Sequence, residues 1–108
     1  MNKEAFIKHI EQTYKDGVDL IKIKNHDYAG DEDPFKNFRF AEMVGVSVPR
    51  AILVRMSDKL ARISNLIDKE AAVKDETVSD TLLDLINYTA ILKAFLQKEK
   101  EQFPNNRE

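Results

Sequence analysis

Apolar residues recur at steps of three and four along most of this chain, and nowhere do they alternate with polar ones as a half-buried strand requires. Phe6, Ile10, Tyr14, Val18 and Ile21 set the first such stripe and predict a helix from about Lys3 to Lys24. Ile52, Met56, Leu60, Ile63 and Ile67 set a second, which begins after Ser47 and Pro49, an N-cap and a first-turn proline, and runs to about Lys69. Val78, Leu82, Leu85, Ile86, Thr89, Leu92 and Leu96 set a third, predicted to be capped by Asp75 and to reach about Lys100. A short helix from about Phe38 to Val44 would stop at Gly45. The expected fold is therefore all-α, a small bundle of three long helices and one short one. The short connection EAAVKD makes the last two long helices an antiparallel pair. Gly17 interrupts the first helix at a cost of about 1 kcal/mol relative to alanine, so either packing compensates or another backbone approaches there.

A chain of 108 residues supports one core, hence one domain over residues 1–108, with a frayed tail from about residue 101 that holds FPNNRE. With 43% hydrophobic and 33% charged residues it is too apolar for disorder and too broken by charge for a membrane, so a compact soluble protein is expected. No apolar run approaches the roughly 20 residues of a membrane span, and the start MNKEAF lacks the apolar core of a signal peptide, which points to the cytoplasm. The absence of cysteine excludes disulfides and thiolate zinc sites. A net charge of −2, with both signs interspersed, argues against a duplex nucleic-acid partner but leaves room for local phosphate contacts.

The stretch HDYAGDEDPFKNFRF has neither helical nor strand period and reads as a loop. Its aromatics Tyr28, Phe35, Phe38 and Phe40 are too many for a solvated linker, so it is expected to fold back on the core. His26, Asp27 and Tyr28 offer hydrogen bonds and a stacking ring, and Lys36, Asn37 and Arg39 can address phosphates. The competing structural reading has His26 capping a helix, Phe35 and Phe38 in the core, and DEDP as a solvated turn. An EF-hand is excluded because its glycine and terminal glutamate are missing at the required spacing. His9 has no partner column and reads as a surface residue.

In DETVSDTLLDLINY, Glu76, Asp80 and Asp84 stand four apart with Tyr88 four further on, so three carboxylates share one helix face and repel. Something positive must oppose them. In RMSDKLAR, Arg55, Asp58 and Arg62 share a face with Lys59 at its margin, and an antiparallel pairing allows ion pairs such as Arg62 with Asp80 or Arg55 with Asp84. The alternative is magnesium held by Glu76, Asp80 and Asp84 with Asp58 assisting, since this hard cation takes a few carboxylates and shares its other positions with water and substrate phosphates.

Taken together, KNHDYAG, DPFKNFR, RMSDKLAR and DETVSDTLLDLINYTAIL resemble the nucleotide modification associated domain 1 family of small phage and bacterial proteins, over roughly residues 20 to 96. A more distant likeness is to the all-α nucleoside triphosphate pyrophosphatases of the MazG and dimeric dUTPase type. Those enzymes bind magnesium through two acidic helix motifs; Glu76, Asp80 and Asp84 match the second approximately, while Arg55, Asp58 and Arg62 stand where the first would be. The resemblance implies a phage-type protein of nucleotide metabolism in the host cytoplasm, similar to a magnesium-dependent pyrophosphohydrolase with Glu76, Asp80 and Asp84 as catalytic ligands. Arg55, Lys59 and Arg62 would meet phosphate, and His26, Asp27, Tyr28 and Tyr88 would meet the rest of a nucleotide or deoxynucleotide. A binder of nucleotides or signalling molecules that does not hydrolyse them, or a module acting on a host protein, is the alternative. Helical hairpins this small need a partner subunit over their apolar faces, so a homo-oligomer is expected.

Overall fold

The computed structural model describes residues 1–28, 33–69 and 77–102, and among them there is no strand. Helix α1 spans Lys3–Tyr28, α2 Lys36–Arg39, α3 Val48–Leu66 and α4 Val78–Gln102, and a 3-10 turn over Phe40–Val44 leads from α2 toward α3. Helix α4 includes residues 101 and 102, where the predicted tail begins, and the rest of that tail, residues 103–108, and the predicted cap Asp75 lie outside the described residues.

The largest contact is between α3 and α4. Ile52, early in α3, shares the core with Phe95, late in α4, whereas Lys59 further along α3 reaches Asp84 nearer the start of α4. The pair is therefore antiparallel, as the short connection predicts. Val48 and Ile52 are fully enclosed, and Phe35 meets the Phe95 ring edge-on at 5.0 Å. Phe38, Met56, Tyr88, Ile91 and Leu92 pack around that cluster.

Helix ends follow local chemistry. The Ser47 hydroxyl accepts a hydrogen bond from the Arg50 N–H at 3.3 Å, with Pro49 in the first turn, as the sequence predicts. At α4 the cap is Thr77: its hydroxyl accepts from the Asp80 N–H at 3.1 Å, and the Asp80 carboxylate accepts from the Thr77 N–H at 3.3 Å. This reciprocal capping box satisfies two donors at once. Gly45 ends the 3-10 turn at φ 82, a backbone conformation glycine adopts without strain. The predicted short helix is thus a four-residue α-turn, starting two residues earlier than expected, followed by 3-10 geometry.

The loop does fold back through Phe35 and Phe38, but Phe40 does not join them and is 63% exposed, because the 3-10 turn carries it to the outer side. Helix α1 extends a turn beyond Lys24 and leans on α4 alone to any extent. Gly17 is its buried residue; a Cβ there would lie 2.8 Å from Asn87 Oδ1 and 3.5 Å from Leu83 Cδ1, so α4 side chains, rather than another backbone, explain the glycine. The buried and half-buried positions of α1 among the described side chains are Thr13, Gly17, Leu20 and Ile21, whereas Phe6, Tyr14 and Val18 of the predicted stripe are at least half exposed.

The radius of gyration is 16.2 Å and the accessible surface 8564 Å². Among the described residues, no helix is long and apolar enough to cross a membrane.

Candidate functional site

A cleft of about 440 Å³ opens where α1, the α2 segment, α3 and α4 meet. Helix α1 contributes Ile21 and Lys24; the segment leading into α2 contributes Pro34, Asn37 and Phe38; α3 contributes Arg55; α4 contributes Asp84, Asn87, Tyr88 and Ile91. A second cavity of about 300 Å³ adjoins it, lined by Arg55, Asp58, Lys59 and Arg62 from α3 and by Tyr88. Arg55 and Tyr88 line both, so the two form one elongated depression. Its size is that of a small-molecule site.

The chemistry changes along its length. At one end Phe38 and Tyr88 meet edge to face at 6.1 Å, flanked by Ile21, Pro34 and Ile91, with the amides of Asn37 and Asn87 among them. An amide offers both donors and an acceptor, the equipment for reading the edge of a heterocycle beside an apolar wall. At the other end the described lining residues are Lys24, Arg55, Lys59 and Arg62 together with the carboxylates Asp58 and Asp84.

Asp84 is the pivot. Its carboxylate bridges Lys59 of α3 at 3.0 Å and Lys24 of α1 at 3.9 Å, tying three helices together. The spacing predicts Arg55 as its partner; lysines take that role, one of them from a helix the sequence does not place nearby.

The predicted residues separate into groups. Arg55, Asn37, Tyr88 and Asp84 line the main cleft, and Asp58, Lys59 and Arg62 the adjoining cavity. Lys36 is exposed in α2 and outside both linings. Arg39 is engaged elsewhere: it donates to the Asp33 carboxylate, lies 4.0 Å from Glu42 and rests 5.9 Å over the Phe95 ring. The Arg39 guanidinium holds the Asp33 carboxyl below the usual carboxylate range, with the Phe35 N–H helping and partial burial opposing. Asp33 and Arg39 thereby staple the α2 segment to α4, a structural rather than a phosphate-directed use. His9 is exposed, as expected. The side chains of His26, Asp27 and Tyr28, and the whole of Glu76, lie outside the described residues.

Of the residues read as magnesium ligands, Asp80 serves the α4 cap, Asp84 is paired with two lysines, and Glu76 lies outside the described residues. Among the described residues, no three Asp, Glu or His side chains gather as a metal site.

Lys24 and Asn87 are the polar site residues that the sequence reading does not single out. Asn87 had a signal, a buried amide in an otherwise apolar helix, and Gly17 is its counterpart on α1. No family model, curated protein or solved structure matches the chain.

Proposed function

We propose that the chain is a cytoplasmic nucleotide-binding protein that works as a homo-oligomer and takes a nucleotide or deoxynucleotide into the elongated depression. The base lies beside Phe38 and Tyr88, with Asn37 and Asn87 along its edge, and the phosphates extend toward Arg55, Lys59 and Arg62. One observation carries the reading: an aromatic and amide end runs into a cationic end through the shared residues Arg55 and Tyr88. Guanidinium groups suit phosphate because their paired N–H donors match its oxygens. The resemblance to proteins of nucleotide metabolism supports the same ligand class. Binding without hydrolysis is favoured over turnover because Asp80 and Asp84, two of the expected metal ligands, are occupied with the helix cap and with lysines.

Titration calorimetry with ribo- and deoxynucleoside mono-, di- and triphosphates, in magnesium and in chelator, tests this, with every mixture then chromatographed. At least one nucleotide is expected to bind and to be recovered intact. Arg55→Ala should weaken it about 10- to 100-fold, the value of a charge-assisted hydrogen bond. Asp84→Asn should retain or raise affinity, since it removes a negative charge that competes for the lysines. A panel in which nothing binds refutes the reading. Metal-dependent release of pyrophosphate that Asp84→Asn abolishes would replace it with the pyrophosphohydrolase.

A further inference from the structure

Three residues at the aromatic end of the cleft, Pro34, Asn37 and Phe38, come from one short stretch of chain. The helix in that stretch, α2, is a single turn of four residues. One turn fixes several backbone dihedrals in return for one hydrogen bond and does not hold itself in water. This wall of the cleft therefore takes its shape from what closes the stretch at its two ends.

Asp33 and Arg39 close it. They flank the three lining residues, and the Arg39 Nε–H donates to one oxygen of the Asp33 carboxylate across six residues. The other oxygen accepts from the Phe35 N–H at 3.0 Å, and the Asp33 carbonyl accepts from the Lys36 N–H at 3.1 Å. One residue thus fixes both the entry to the turn and its exit. Within this clip the Phe38 N–H donates to the Phe35 carbonyl at 2.9 Å, while the two rings reach different partners, Phe35 the edge of Phe95 and Phe38 the edge of Tyr88. Arg39 is anchored a second time, with its guanidinium 5.9 Å from the centre of the enclosed Phe95 ring.

The side chains of Arg39 and Asp33 are 35% and 34% exposed, and an ion pair so placed adds little to global stability. Its effect is local, on where Asn37 and Phe38 stand relative to Tyr88. We infer that Asp33 and Arg39 are positioning residues for the base end of the cleft. Neither lines it, and together they hold Asn37 and Phe38 opposite Tyr88 and Asn87, so that a base meets a preformed wall. The inference rests on the proposed nucleotide ligand and adds a division of labour: α3 fixes the cationic end and the clip fixes the aromatic end. Opening the clip lowers affinity for a ligand that carries a base and spares one that needs the cationic end alone.

Two variants grade the perturbation. Asp33→Asn keeps an acceptor for the Phe35 N–H and removes the charge facing Arg39, whereas Asp33→Ala removes both. Amide hydrogen exchange without ligand is the first arm: in Asp33→Ala the Lys36 and Phe38 amides should exchange faster while those of α3 keep their native rates. The second arm is calorimetry with the ribo- and deoxynucleoside triphosphates and with inorganic triphosphate as the probe that lacks a base. Asp33→Ala should weaken the nucleotide about five-fold, because closing the segment then draws on the ligand's binding free energy, with Asp33→Asn in between and inorganic triphosphate unchanged. Unaltered exchange at Lys36 and Phe38 overturns the clip whatever binds. Nucleotide affinity that survives Asp33→Ala, or that falls in step with that for inorganic triphosphate, overturns the positioning role and leaves the proposed function standing. A native chain that binds no nucleotide overturns both.

Discussion

Replacing Gly17 by alanine sets two known effects against each other. In a helix interior the change is worth about 1 kcal/mol in favour of the variant, because alanine loses less backbone freedom on folding. The new Cβ would, however, sit 2.8 Å from Asn87 Oδ1, well inside contact distance, and 3.5 Å from Leu83 Cδ1, which is ordinary contact. Asn87 is only 9% exposed, so its amide has little space to retreat. Overpacking of this kind costs about 1–3 kcal/mol. The expected balance is a net loss near 1 kcal/mol, a fall of about 4–8 °C in the midpoint of thermal unfolding for a chain this size.

Circular dichroism at fixed protein concentration measures it, since association would otherwise move the midpoint. Asn87→Ala supplies the control. It is destabilising by itself, but in its background the obstruction is gone, and Gly17→Ala should then stabilise by about 1 kcal/mol. The sign reversal between backgrounds, a coupling of about 2 kcal/mol, is the signature of the contact. If Gly17→Ala raises the midpoint by the full helix value with Asn87 in place, α1 does not pack on α4 through this glycine.

Two further perturbations address the ends of elements. Asp33 has its carboxyl pKa lowered in the folded chain by Arg39, so its stabilisation is present at neutral pH and disappears as pH falls through that lowered value, below about 4. The unfolding midpoints of the native chain and Asp33→Asn should therefore converge on acidification; a gap independent of pH would show that the pair is not linked to folding. Thr77→Ala should cost about 1 kcal/mol by removing one half of the capping box, measured by thermal unfolding. Asp80→Asn should cost less and be insensitive to added magnesium, and a magnesium-dependent loss would return Asp80 to the role of metal ligand.

What the sequence made legible was the local physics. The Ser47 and Pro49 start of α3, the Gly45 stop and the antiparallel last pair all follow from signals confined to a few residues, and each is found where expected. The Thr77 and Asp80 spacing permits the reciprocal bonds found at the start of α4, and that spacing is itself a local signal in the sequence. The partners of Asp84 depend instead on how helices distant in sequence meet. Periodicity gave α1 an apolar stripe, but the face that touches α4 was chosen by the small Gly17 and the amide of Asn87, and that choice brought Lys24 rather than Arg55 to the carboxylate. Aromatic content likewise could not separate Phe35, enclosed against Phe95, from Phe40, turned outward by a change from α to 3-10 winding.

The narrow seat of α1 on α4 divides the molecule into parts of unequal lifetime. Amide groups in α3 and the middle of α4 are expected to exchange with solvent only when the whole core opens, and α1 to detach as a separate cooperative unit at lower free energy, because it is held by fewer contacts than the α3–α4 pair. One wall of the cleft, with Ile21 and Lys24, therefore belongs to the short-lived part and the opposite wall, with Arg55 and Tyr88, to the long-lived one. A ligand that spans both walls selects the docked state of α1, and its affinity carries the free energy of that docking. Occupancy of the cleft should then be written in the exchange rates of a helix most of whose residues the ligand never touches.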